Sequence, residues 1–238
     1  MRLVVARDPD ELAAVAADLF RARLREQPGL AMAVPAGRTP RRMYARLVEL
    51  QASDPVDFRR MRVFSVDELC PPAPSDGYFW RQVRTEFLAW AAVPAARCRP
   101  FAVDAPDLSA MCRSYEQAIA EAGGLDLVMC GLGPNAHLAS NEPGAPLESV
   151  TRPVTLLPET VRYILTDSVV QGEVCDRAVT LGLGTIMAAR EVVVLVSGAH
   201  KRGALAAALQ GPVTPAVPGS VLQRHAACIV LADRDAAP

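Results

Sequence analysis

Nowhere does the chain carry an apolar run approaching the roughly 20 residues needed to cross a bilayer; its longest strongly apolar stretch is Val192–Val196. The opening MRLVVARDPDEL has too short an apolar stretch, and a charge too early, for a secretory signal, so a cytoplasmic location without membrane attachment is expected. Basic excess is missing as well. The 25 Lys and Arg stand against 26 Asp and Glu, leaving a net charge of −1, which excludes the electrostatic footprint of a nucleic-acid binder. The six cysteines, Cys70, Cys98, Cys112, Cys130, Cys175 and Cys228, have neither CxxC nor Cys/His spacing. That excludes the usual zinc and redox motifs and leaves reduced, mostly structural thiols. Repeats and low-complexity tracts are absent too. With 51% apolar and 21% charged residues, the composition is globular rather than disordered.

What is present is enough chain for one large α/β domain spanning residues 1–238. Short β-branched or aliphatic runs at Leu30–Val34, Arg62–Val66, Leu125–Cys130, Ala178–Thr180, Val192–Ser197 and Ala227–Ala232 predict strands. Helical patterns separate them at Asp10–Glu26, Thr39–Gln51, Phe79–Ala91, Asp107–Ala122, Gly184–Ala189 and Lys201–Gln210. This alternation predicts an α/β fold of the Rossmann-like kind: three layers, a parallel sheet with helices on both faces. Pro71–Pro74 and Pro143–Pro158 read as loops or lids.

Open α/β sheets bind ligands beyond the carboxyl ends of their strands, so the residues just after each strand matter most. After the first run comes Ala36-Gly37-Arg38-Thr39-Pro40, a small-residue turn into a helix N-terminus that suits a phosphate and is equally an ordinary βα turn. Asp67-Glu68 follows VFSV. A carboxylate partly desolvated there can serve as a general base beside a carbonyl, or the pair can simply cap a helix. In GLGPNAHLASNEPG, Gly131 and Gly133 let backbone approach a ligand. His137 there, flanked by Asn135 and Glu142, can be fixed in one tautomer as an acid/base group. Lys201 opens a helix after the VVVLV strand, where its ammonium could reach an anion or remain a surface charge. His200 and His225 read as structural or surface residues.

Together these stretches, in this order, resemble the glucosamine-6-phosphate deaminase family and, more distantly, the 6-phosphogluconolactonases of the same fold. The pattern GxTPxxxY appears from Gly37 to Tyr44, and the strand-end DE motif as Asp67-Glu68. The signature GxGxDGHxAFNEP appears as GLGPNAHLASNEP, from Gly131 to Pro143. The C-terminal pattern TxGxGTxxxAxxVxxLxSGxxK runs from Thr180 to Lys201, and SxLQxH appears as Ser220–His225. The resemblance implies isomerisation of an amino-sugar phosphate with ammonia release, on a small-molecule sugar phosphate and with no cofactor. It implies Asp67 as the base moving a proton between C2 and C1, and His137 as an aid to ring opening, oriented by Glu142. Thr39 and Lys201, with loop amides around Gly37 and Arg38, would hold the phosphate.

Three departures accompany the resemblance. Asn135 stands where the signature has Asp, and Ala136 where it has Gly. The family's phosphate-binding arginine falls near Leu165 or Thr166, with Arg162 one turn back as its candidate substitute. The chain ends shortly after Asp233, which implies a non-allosteric monomer or small homo-oligomer. Two alternatives stay open: a sugar-phosphate lactonase, and a non-enzymatic sugar-phosphate-binding domain.

Overall fold

Strands made of unbroken apolar runs can be buried on both faces only if helices cover both, and the computed structural model has that arrangement; it describes every residue except Ser75, Val169 and Gln171. The chain begins with β1 (Arg2–Ala6), α1 (Pro9–Glu26), β2 (Ala31–Val34), α2 (Arg38–Ser53), β3 (Arg62–Ser65) and β4 (Asp67–Leu69). A helical stretch follows: α3 (Phe79–Val83), a π-helical turn at Arg84–Leu88, and α4 (Ala89–Ala91). Then come β5 (Cys98–Arg99), α5 (Leu108–Glu121), β6 (Leu127–Gly131), β7 (Arg152–Thr155) and α6 (Pro158–Leu165). The chain closes with β8 (Arg177–Thr180), α7 (Leu183–Met187), β9 (Glu191–Val196), α8 (Arg202–Gln210) and β10 (Cys228–Asp233).

Seven strands form one parallel sheet in the order β1-β10-β9-β6-β2-β3-β5. Side chains alternate across it. Ala31, Ala33, Val128, Cys130, Val192 and Val194 pack on one face against Tyr115 of α5, Ile186 of α7 and Leu205 of α8. Met32, Val34, Leu127, Met129, Val193 and Leu195 pack on the other against Phe20 of α1, Tyr44 of α2 and Phe87. Each fully buried Val, Leu, Met, Ile or Phe among them contributes about 1.5–3 kcal/mol, so both layers are strongly held. Helix starts are capped where the sequence supplies a carboxylate: Asp8 accepts from the amides of Asp10 and Glu11, and Asp107 from that of Ala110. Among the described residues, no helix is long and apolar enough to cross a membrane.

One expectation is corrected. Ala178–Thr180 reads as a strand of the parallel sheet, but β8 lies in a separate three-stranded antiparallel sheet of order β4-β8-β7. The cause is a bend after β3: the chain leaves the large sheet at Val66, whose carbonyl accepts from Leu181, and Asp67–Leu69 then pairs with Ala178–Thr180. The segment Pro143–Pro158, expected as loop throughout, contains β7, which completes that sheet.

Candidate active site

The carboxyl ends of β2, β3, β6 and β9 open onto one cleft, with α6 along its side. It is an open cleft rather than a closed cavity, with Pro35, Val66, Leu132, Ala139 and Ile164 among its apolar walls. Gly37, Arg38, Thr39, Asp67, Gly133, His137 and Lys201 all line it.

Asp67 and Glu68 point opposite ways because they are consecutive in a strand. Glu68 is buried beneath the start of α3, where its carboxylate accepts from the amides of Leu69, Tyr78, Phe79 and Trp80 at 2.7–3.1 Å. Asp67 faces the cleft. Ser65 Oγ donates to its carbonyl at 2.9 Å, and Ser140 Oγ donates to its Oδ2 at 2.7 Å. Burial pushes the Asp67 carboxyl up to about 6, with the Ser140 hydrogen bond pulling the other way. It is therefore mostly ionised at neutral pH.

The loop after β6 builds a relay. Asn135 Nδ2 donates to Glu142 Oε2 at 2.8 Å, which turns Asn135 Oδ1 toward His137 Nδ1, also at 2.8 Å. An amide oxygen there can only accept, so Nδ1 carries the proton and Nε2 keeps a lone pair. Burial, reinforced by the charge of Lys201, lowers the His137 pKa to about 4, so the ring is neutral at physiological pH. Glu142 lies 3.8 Å from Nδ1 and acts through Asn135 rather than on the ring directly. Gly133 serves the histidine: a Cβ at that position would fall 2.2 Å from the imidazole. Its expected role in ligand binding is thereby narrowed to making room for the ring.

At the other end lie the cations. Tyr44 Oη donates to the Pro35 carbonyl at 2.7 Å and anchors the loop leading to α2. Gly37 has φ +112° and its amide donates to Gln82 Oε1 at 2.9 Å, so this amide, expected to face phosphate, is already used within the protein. Arg38 reaches across to α6. It donates to the Tyr163 carbonyl at 3.0 Å and to Thr166 Oγ1, and its guanidinium sits 4.6 Å above the Tyr163 ring. Lys201 is buried with Nζ 5.8 Å from the same ring, and among the described residues it has no carboxylate ion-pair partner. Burial, followed by repulsion from Arg38, lowers its pKa to about 8. Arg38 Nε also lies 3.6 Å from Asp167 Oδ2, so of the two cations facing the cleft Lys201 is the one without a carboxylate partner among the described residues.

Arg162 does not join them. Thr160, Tyr163, Ile164 and Asp167 line the cleft at helical spacing, which turns Arg162 outward, where it is exposed. The arginine that meets Thr166 is Arg38. Ser140 and Gln82 carry no signal in a lone sequence, although Ser140 occupies the Phe position of the quoted signature. Of the remaining histidines, His225 is buried with Nε2 2.9 Å from the Ala189 carbonyl, and His200 lies at the surface 3.3 Å from Tyr163 Oη. Among the described residues, no group of three or more His, Cys, Asp or Glu is placed to hold a metal ion.

The chain is similar to known proteins over nearly its whole length. The family described as glucosamine-6-phosphate isomerases/6-phosphogluconolactonase matches residues 7–231. A glucosamine-6-phosphate deaminase from Hahella chejuensis is 34% identical over all of this chain and 91% of its own length. One from Cutibacterium acnes is 37% identical, with the same two coverages of 100% and 91%. Among solved structures, a monomeric glucosamine-6-phosphate deaminase superposes with a TM-score of 0.92 at 28% identity, covering 99% of this chain and 98% of that one. A 6-phosphogluconolactonase from Trypanosoma cruzi shares the fold, with a TM-score of 0.78 at 23% identity over 99% of this chain and 95% of that one.

Proposed function

The chain belongs to the glucosamine-6-phosphate isomerase/6-phosphogluconolactonase family, and on that premise we propose that it converts an amino-sugar phosphate of the glucosamine 6-phosphate type to a ketose phosphate and ammonia. The observation that carries this is the pairing, in one cleft, of an ionised Asp67 with a neutral His137 whose Nε2 is free to accept a proton.

The phosphate would sit between Thr39, Arg38 and Lys201, with the sugar ring extending toward β6. His137 Nε2 takes the proton of the C1 hydroxyl and returns one to the ring oxygen as the C1–O5 bond breaks, giving the open-chain aldehyde. The Asp67 carboxylate then removes the proton on C2, and the electron pair moves through C1 to the carbonyl oxygen, which takes up a proton released by the C2 ammonium group, forming a neutral enolamine. Asp67 returns its proton to C1, leaving an iminium at C2. Water adds at C2, the nitrogen leaves as ammonia, and the ketose phosphate remains. Asn135 and Glu142 hold the imidazole tautomer in which this works.

The lactonase reading needs a base for water rather than for a carbon acid. The relatives at 34% and 37% identity are deaminases, whereas the lactonase shares the fold at 23%. Incubating the purified protein separately with glucosamine 6-phosphate and with 6-phosphogluconolactone tests the proposal. Equal amounts of ammonia and ketose phosphate from the first are expected; acid from the second with no ammonia from the first would reverse it.

A further inference from the structure

We propose that Ser140 is a positioning residue for Asp67, fixing which carboxylate oxygen meets the substrate and holding that carboxylate in its ionised form; this rests on the reading of Asp67 as the base. The geometry is a closed triangle. Asp67 and Thr180 are register partners in the antiparallel pair β4–β8. Thr180 Oγ1 accepts from the backbone amide of Ser140 at 3.1 Å, and Ser140 Oγ donates to Asp67 Oδ2 at 2.7 Å. Ser140 and Thr180 are both buried, which shields the Ser140 amide bond from water, while the Ser140–Asp67 bond is part-buried at the edge of the cleft.

The triangle has a stereochemical effect. With Oδ2 occupied, Oδ1 receives no hydrogen bond among the described residues and is the oxygen left for a proton on carbon. Rotation of the carboxylate would cost the short Ser140 bond, so the reactive oxygen is held in place before substrate arrives. The hydroxyl also donates more strongly to the carboxylate than to the neutral acid, which opposes the upward push of burial on Asp67. A phenylalanine, the residue of the quoted signature at this position, could do neither.

Other titratable or charged groups line the same cleft: the Cys130 thiol from β6, His137 from the loop after it, Lys201 from the turn after β9, Arg38 from α2, and Tyr163 and Asp167 from α6 and the turn after it. All of them stay in place when Ser140 alone is changed, so a shift in the acid limb reports the hydroxyl.

The test is the pH dependence of kcat on glucosamine 6-phosphate for the wild type, Ser140→Ala, Ser140→Thr and Asp67→Asn. Activity requires ionised Asp67, so it is lost as pH falls through the pKa of that group. In Ser140→Ala the limb should move upward by about one unit, the equivalent of losing a hydrogen bond to a charged group. Its plateau kcat should fall roughly 10-fold or more. Ser140→Thr, which keeps the hydroxyl, should restore the wild-type limb. If Ser140→Ala is too unstable to assay, Ser140→Cys, with a similar volume and a weaker donor, should show an intermediate shift. An unmoved limb in the Ala or Cys variant, while Asp67→Asn is inactive, overturns the positioning role. Full activity in Asp67→Asn instead removes the base reading beneath it.

Discussion

Asn135 Oδ1 lies 2.8 Å from Nδ1 of His137, so an amide holds the imidazole where the related signature places a carboxylate. The hydrogen bond survives the exchange; the negative charge does not. Burial then governs the ring and leaves it neutral down to about pH 4.

Replacing Asn135 with Asp should therefore raise the pKa of His137, since a carboxylate beside Nδ1 favours the imidazolium. In the wild type the acid limb of kcat/KM should follow Asp67, near 6, and involve one proton. In Asn135→Asp the histidine limb climbs into that range, and the fall in rate on acidification becomes steeper. The pH profile on glucosamine 6-phosphate checks this; a profile superimposable on the wild type contradicts it.

Ala136 has φ +67° beside the relay, where the related signature carries glycine. A left-handed alanine costs about 1–2 kcal/mol, of which the greater unfolded-state freedom of glycine takes back about 0.4–1. Ala136 is buried in the core, so losing its methyl costs about 0.8 kcal/mol more, and Ala136→Gly should leave stability within about 1 kcal/mol of the wild type, read as a nearly unchanged midpoint in urea at an unchanged m-value. A loss of more than about 2 kcal/mol would contradict this balance of strain against packing.

The phosphate end gives a three-way comparison. Arg38→Ala and Lys201→Ala should each raise KM for glucosamine 6-phosphate about 10- to 100-fold, the equivalent of a lost charged hydrogen bond of about 1.5–3 kcal/mol, and leave KM for unphosphorylated glucosamine unchanged. Arg162→Ala should leave both unchanged, because its side chain points away from the cleft. A large KM effect for Arg162 would restore it to the phosphate site.

Much of this was legible before the fold. Runs such as Val192–Val196 announce strands because central parallel strands are apolar on both faces. β1 is an edge strand with Leu3 and Val5 exposed, and β5 has two residues, so neither offers such a run. β4 begins with two carboxylates, and only its pairing with β8 makes it a strand. In the site, Asp67, Asn135, His137 and Lys201 stand next to strand ends and could be found there. Gln82 and Ser140 could not: they act on partners 45 and 73 residues away, Gly37 and Asp67, and only the tertiary fold brings these together. Arg162 shares the helical phase of Thr166, whereas α6 turns Thr160, Tyr163 and Ile164 to the cleft and leaves Arg162 exposed.

The central claim is that Asp67 performs the proton transfer that leads to ammonia release. Its most direct test is the rate of ammonia formation from saturating glucosamine 6-phosphate by the wild type and by Asp67→Asn at pH 8, with substrate binding measured in parallel by calorimetry. The account predicts that ammonia formation falls roughly 10²–10⁴-fold in the variant while binding changes little. Wild-type ammonia formation by Asp67→Asn would contradict it.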